Sequence, residues 1–126
     1  MILGVGLDAC QISRMAISLQ NTRFLSKYFT PCETAYILSK GAQAAQSLAA
    51  LYAAKEAALK AMSLGISSVP LQEIEILHTP AGQPYYMMYG KAADALQNGH
   101  MHLSLTHEAD MAIAVALLEK DVQGYC

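Results

Sequence analysis

Three side chains raise the chemical question: Asp8 in ILGVGLDACQI (2–12), and Glu56 and Lys60 in LAALYAAKEAALKAM (48–62). Asp8 is the only acid of the first segment and Glu56 the only acid of the second. If the two carboxylates face a common point, they form with water and substrate phosphates the incomplete, oxygen-rich site that suits Mg²⁺. Lys60, one helical turn past Glu56, then reaches a phosphate oxygen. Each residue also has a plainer reading: Asp8 as a turn or cap carboxylate, Glu56 and Lys60 as a solvated pair on an exposed helix. Their setting argues against the exposed helix. No Pro or Gly interrupts the run from Ala42 to Leu64, which predicts a helix of about six turns. One face carries Leu48, Leu51, Tyr52, Leu59 and Met62, with Lys55 inside that stripe, while alanines fill most of the other. A helix apolar all round is buried all round, by its own domain or by a neighbouring subunit, and charges there are paired or coordinate something.

The elements that must position these groups follow from local patterns. In the strand predicted at 2–12, Gly4, Gly6, Asp8 and Cys10 share one face, and two glycines beside a carboxylate leave room for a ligand or another backbone. A short helical stretch from Arg14 to Lys27 comes next. TPCE at 30–33 then starts a helix, with Thr30 as cap, Pro31 at the first helical position and Glu33 closing a capping box, which makes Glu33 structural. After the long helix, EIEIL (73–77) and PYYMMY (84–89) form a hairpin around HTPAGQ, and GKAADALQN is a short helix. HMHLSLTH and MAIAVALL are the closing strands, joined around Glu108–Asp110. The fold class is α+β, a mostly antiparallel sheet packed on one long helix, with a single domain at 1–119 and a polar tail at 120–126.

The 126 residues suit one domain. Hydrophobic residues make up 54% and charged ones 14%, well under the usual charged share of about 25%, so part of the apolar surface is expected to be covered by another chain. No apolar run approaches the roughly 18 residues that span a bilayer, and MILGVGL lacks the basic start and cleavage pattern of a signal peptide. Cys10, Cys32 and Cys126 are odd in number and contain no CxxC, which points away from a disulfide framework or zinc site and toward a reducing cytoplasm. The net charge of −2 hides a basic stretch, because Arg14, Arg23 and Lys27 lie between Ala9 and Cys32 without an acid among them. That density is too low for nucleic acid and fits an acidic protein partner. His107 taken alone reads as a structural residue, and His100 and His102 share a strand face with no third ligand.

GVGLDACQISR (4–14), YAAKEAALKA (52–61) and HLSLTHE (102–108), supported by FTPCE and by GQP (82–84), resemble the small bacterial holo-acyl-carrier-protein synthases, a class of 4'-phosphopantetheinyl transferases. The resemblance runs from Ile2 to about Glu119, and the order and spacing of the blocks are more specific than any single motif. It implies transfer of phosphopantetheine from coenzyme A to a serine of an apo acyl carrier protein, with release of adenosine 3',5'-bisphosphate. Asp8 and Glu56 match the family's metal-binding carboxylates, for Mg²⁺ or alternatively Mn²⁺, and Lys60 its phosphate-contacting lysine. Glu56 is also the candidate base for the serine hydroxyl, directly or through water. Leu105, Thr106 and His107 match the segment lining the coenzyme A pocket, and Gly82 and Pro84 the loop against the adenine. Arg14, Arg23 and Lys27 match the surface that docks the acidic carrier protein. Lys55 is placed either at the same phosphates or at a buried carboxylate. Family members are trimers with active sites shared between neighbours.

Two positions depart from the pattern: Leu51 stands where many members have an arginine credited with the coenzyme A 3'-phosphate, and Ser63 replaces a common glycine. Two rivals follow from the same residues. One is a catalytically silent trimeric module that binds coenzyme A or carrier protein, which measurable transfer would eliminate; the other is a phosphate-ester hydrolase, which free phosphopantetheine formed without carrier protein would support.

Overall fold

A computed structural model describes residues 1–121. The chain runs β1 (Ile2–Gln11), α1 (Ile12–Ser18), α2 (Thr22–Tyr28), α3 (Pro31–Ser39), α4 (Ala44–Ala61), β2 (Ile74–His78), β3 (Pro84–Met88), α5 (Gly90–Ala95), β4 (His100–Glu108) and β5 (Met111–Glu119). The strands form two antiparallel sheets, a three-stranded one in the order β1-β5-β4 and a β2-β3 hairpin. The α+β reading holds, and the antiparallel pairing is divided between two sheets rather than gathered into one.

Helix α4 lies across one face of the larger sheet, and small residues set how closely. A Cβ added to Gly6 would stand 1.8 Å from the Ala57 carbonyl oxygen, and one on Gly4 would stand 1.9 Å from that of Ala61. The space the two glycines leave is therefore filled by helix backbone. Ala112, Ala114 and Ala116 of β5 and Ala53, Ala57 and Ala61 of α4 are buried around this contact. Register places Asp8 opposite Ala114 and Ala114 opposite Leu105, so Asp8 and Leu105 occupy one row across the sheet.

The stretch from Arg14 to Lys27, expected as one helical run, is two helices. Asn21 caps the second, its Oδ1 accepting from the Arg23 and Phe24 amides at 3.0 and 3.2 Å. The capping box on α3 forms as expected: the Glu33 amide donates to Thr30 Oγ1 at 3.1 Å and the Thr30 amide to Glu33 Oε1 at 3.0 Å. Helix α4 ends with Ser63 at φ +57, where the Leu64 amide donates to the Leu59 carbonyl at 2.8 Å and that of Ser63 to Lys60 at 3.1 Å. This is the left-handed ending that glycine usually fills. Among the described residues no helix is long and apolar enough to cross a membrane. The polar tail expected at 120–126 falls mostly outside the described residues.

Candidate active site

Strand β1 and helix α4 carry the site. Because Gly4 and Gly6 draw the helix onto the strand, the next inward residue, Asp8, meets α4 from the side. Lys60 Nζ donates to Asp8 Oδ1 at 3.1 Å and to the Leu7 carbonyl at 2.8 Å. The pair remains wet, with side-chain exposures of 54% for Lys60 and 20% for Asp8, so Lys60 is free to exchange partners. Glu56 is half-buried one turn earlier. Desolvation raises its pKa above the usual carboxylate value and the negative charge of Asp8 adds to that, while a hydrogen bond from Tyr52 and the Lys60 charge oppose it. The three residues read from sequence thus converge.

Of the two neighbouring carboxylates, Lys60 pairs only with Asp8, so the site still carries one more negative charge than positive. Among the described residues no group of three or more His, Cys, Asp or Glu side chains is placed to enclose a metal. An open pair of oxygen donors fits a hard cation that keeps several waters and takes its remaining ligands from phosphates, as Mg²⁺ does.

Glu56 also lines a cavity of about 440 Å³ together with Tyr28, Tyr52, Leu59 and the chain from Ile66 to Leu71, with Lys27 and Lys91 on its border. Arg14 lies nearby, its Nη2 4.0 Å from Cys10 Sγ. Burial pushes the Cys10 thiol and the Tyr52 phenol above their ordinary values, with Arg14 acting against both shifts. Of the three basic residues expected at a partner surface, Lys27 reaches the cavity, Arg14 stands beside it, and Arg23 is exposed on the first turn of α2.

The residues expected around coenzyme A form a second place. Leu51, Leu105, Thr106 and His107 line a groove of about 160 Å³ with Tyr36 and His78. Gly82, Pro84 and Leu105 line another of about 410 Å³ that shares Tyr36 and His78 with the first. Tyr36 and His78 stack with ring centroids 3.9 Å apart, and Lys40 Nζ sits 4.7 Å from the centre of the Tyr36 ring. Burial, then the Lys40 charge, lowers the pKa of His78. At about 100° per residue, Glu56 points away from Ser47, Ala50 and Leu51 around α4, with Tyr52 and Leu59 toward its side of the apolar stripe. Within one chain, α4 separates the carboxylates from these grooves.

Lys55 corrects the sequence reading, which assigned it to coenzyme A while leaving a buried carboxylate open. It has 0% exposure, and its ammonium donates to Glu33 Oε1 at 2.8 Å, to the Leu71 carbonyl at 2.8 Å and to the Ile74 carbonyl at 2.7 Å. An ammonium has three hydrogens and all three are used. Burial lowers its pKa, opposed by Glu33 and then Glu75. Removing one partner from such a buried pair costs on the order of 3–5 kcal/mol. The sequence reading also missed Tyr52 as a partner of Glu56, although its position four residues earlier on a helix is a usable signal. The Tyr36–His78 stack joins distant segments and left no such trace.

Residues 4–116 match the model of the 4'-phosphopantetheinyl transferase superfamily. The chain belongs to that superfamily. It is 39% identical over 122 residues to the holo-acyl-carrier-protein synthase of Treponema denticola, covering 94% of this chain and 99% of that one. The holo-acyl-carrier-protein synthase of Koribacter versatilis is 40% identical over 125 residues, with 94% and 99% covered. Among solved structures, the Bacillus anthracis synthase in complex with coenzyme A (3',5'-ADP) superposes with a TM-score of 0.82 at 28% identity, covering 96% of this chain and 99% of that one. The Helicobacter pylori synthase in complex with coenzyme A gives 0.79 at 27% identity, covering 91% and 99%.

Proposed function

We propose that this chain transfers the 4'-phosphopantetheine group of coenzyme A to a serine of apo acyl carrier protein and releases adenosine 3',5'-bisphosphate. The observation that carries the reading is the convergence of Asp8, Glu56 and Lys60 at the β1–α4 contact, in a chain of this superfamily. Residues 1–119 act as one transferase domain.

In the reaction, the serine oxygen bonds to the phosphorus that bears the pantetheine arm, and the bond from that phosphorus to the bridging oxygen of the diphosphate breaks. Glu56 takes the hydroxyl proton, directly or through water. Lys60, released from Asp8, places its ammonium against a phosphate oxygen as negative charge shifts to the leaving group. Asp8 and Glu56 would hold Mg²⁺, or Mn²⁺, which when bound supplies charge neutralisation across the diphosphate. The basic residues Arg14, Arg23 and Lys27 dock the acidic carrier protein next to Glu56, which supports delivery of its serine to the cavity side of α4.

Gly82, Pro84, Leu105, Thr106 and His107 receive the nucleotide part of coenzyme A. Because α4 separates them from the carboxylates, a complete site needs the nucleotide grooves of one copy beside Glu56 of another. The outward face of the larger sheet supports such assembly, since Leu3, Val5 and Leu7 are exposed there. The assembly is a homotrimer working in the cytoplasm.

Mass spectrometry of apo acyl carrier protein incubated with the chain, coenzyme A and Mg²⁺ tests the reading. Addition of one phosphopantetheine to the carrier, lost on chelation, is expected. An unmodified carrier would leave a binding module, and free phosphopantetheine in its place a hydrolase.

A further inference from the structure

The proposed transfer makes no use of the most deeply buried charges among the described residues. Lys55 and Glu33 are 0% and 1% exposed, and Lys55 sits one residue from Glu56 along α4 while Glu33 reaches Lys55 from α3. Glu33 joins three elements: its Oε1 accepts from Lys55 and from the Thr30 amide, and its Oε2 accepts from the Ile76 amide at 2.9 Å. Lys55 in turn holds the carbonyls of Leu71 and Ile74, the turn that leads into β2. Farther out, Glu75 accepts from the Thr30 hydroxyl and from the Tyr89 hydroxyl, the latter at 2.9 Å. No buried side-chain nitrogen or oxygen among the described residues lacks a partner.

Leu71 connects this network to the site. Its carbonyl is held by Lys55, and Leu71 lines the cavity bordered by Glu56, Tyr52 and Leu59. The rest of that wall, from Ile66 to Pro70, is the segment between α4 and this anchor. Along α4 itself, Glu56 follows Lys55 directly, so one peptide unit separates the group that builds the site from the group that holds its far wall.

We propose that Lys55 is a positioning residue: with Glu33 it clamps the Leu71–Ile74 turn to α4 and so sets the width of the cavity beside Glu56, without touching substrate. The alternative, a lysine that turns toward a phosphate, requires Lys55 to give up three hydrogen bonds and leave Glu33 buried and unpaired, which is costly. Glu33 has no tolerant substitute either, because an amide nitrogen at either oxygen would face an N–H donor.

The kinetic test rests on the transferase reading, so it is paired with one that does not. In the unmodified protein, the side-chain Cε–Hε NMR signals of the lysines are followed while coenzyme A and Mg²⁺ are added. The signal of Lys60 is expected to move and that of Lys55 to stay; a shift of Lys55 as large as that of Lys60 overturns the proposal. In transfer assays, Lys55→Met and Glu33→Gln are each expected to raise KM for the apo carrier protein about tenfold with kcat changed less than about threefold, since small displacements of a positioning wall act at that scale. The double variant should be no worse than the worse single one, because both break a single clamp. Effects that multiply, or a Glu33→Gln enzyme with an unchanged KM, would overturn the proposal. Should Lys55→Met fail to fold, Glu33→Gln and the NMR titration decide by themselves. Wild-type protein without transfer activity would refute the transferase reading and leave the NMR result standing.

Discussion

The two faces of the three-stranded sheet are built from opposite materials. Where α4 crosses β1 and β5 the inner face is mainly glycine and alanine, with Asp8 its one charge on β1, and it is so thin that helix backbone rests almost on strand backbone. The outer face is branched and bulky, yet Val5 and Leu7 remain 57% and 60% exposed. Small side chains on the inside bring a carboxylate of a strand within reach of groups on a helix, which larger ones would hold apart. Large side chains on the outside have no partner within the chain, and large exposed apolar patches mark surfaces that meet another molecule. On the proposed function, one face builds half of a site, and the other is the surface that would bring in the other half.

The sharpest way to break this contrast is to remove the inner charges. Asp8→Ala and Glu56→Ala are each expected to lower the transfer rate about a thousandfold or more, equivalent to roughly 4 kcal/mol, with the circular dichroism spectrum retained. A variant active above a tenth of wild type would exclude that carboxylate from the chemistry. Gly6→Ala tests the thinness itself: its methyl group would collide with the Ala57 carbonyl, and denaturant unfolding should show a loss of about 3 kcal/mol or more. On the outer face, Val5→Lys should reduce the sedimenting mass of the protein while the monomer stays folded, with lower activity in proportion. Unchanged mass and activity would separate that face from assembly.

A smaller effect is expected at Leu51. It is 1% exposed, packed into the core beneath the groove of Thr106 and His107, and carries no charge to meet a phosphate. Lys55, a few residues along the same helix, is held in its buried pair and does not supply that charge. The ratio of kcat/KM for coenzyme A over 3'-dephospho-coenzyme A should stay below about a hundredfold, or roughly 2.7 kcal/mol. A larger ratio would point to another cation, with Lys40 beside the Tyr36–His78 stack the first to examine. The smallest effect belongs to the end of α4, where Ser63→Gly relieves the left-handed backbone and should add about 0.5–1 kcal/mol of stability, read as a higher melting temperature.

Much of this architecture was legible in the chain because its signals are local. Helical period exposed α4 as apolar on every side, Thr30-Pro31 with Glu33 marked the start of α3, and alternation marked the strands. The break at Asn21 was missed because a 7-residue helix on either side leaves little periodic pattern to read. The pairing of Asp8 with Glu56 and Lys60 was open to inference, since lone charges in apolar elements need partners.

By itself, then, the sequence determined the elements, the scarcity of charge that singled out Asp8, Glu56 and Lys60, and the family to which their spacing belongs. It left Lys55 undecided between phosphate and carboxylate, because the groups that decide it lie at Glu33, Leu71 and Ile74, at separations of 22, 16 and 19 residues. Only the tertiary structure decided that choice, and likewise that the grooves lined by Leu51 and Leu105 lie away from the carboxylates around α4. The physical reason is that helix and strand formation is governed by neighbours along the chain, whereas the partner of a buried charge is whichever group the packed fold brings within hydrogen-bonding distance.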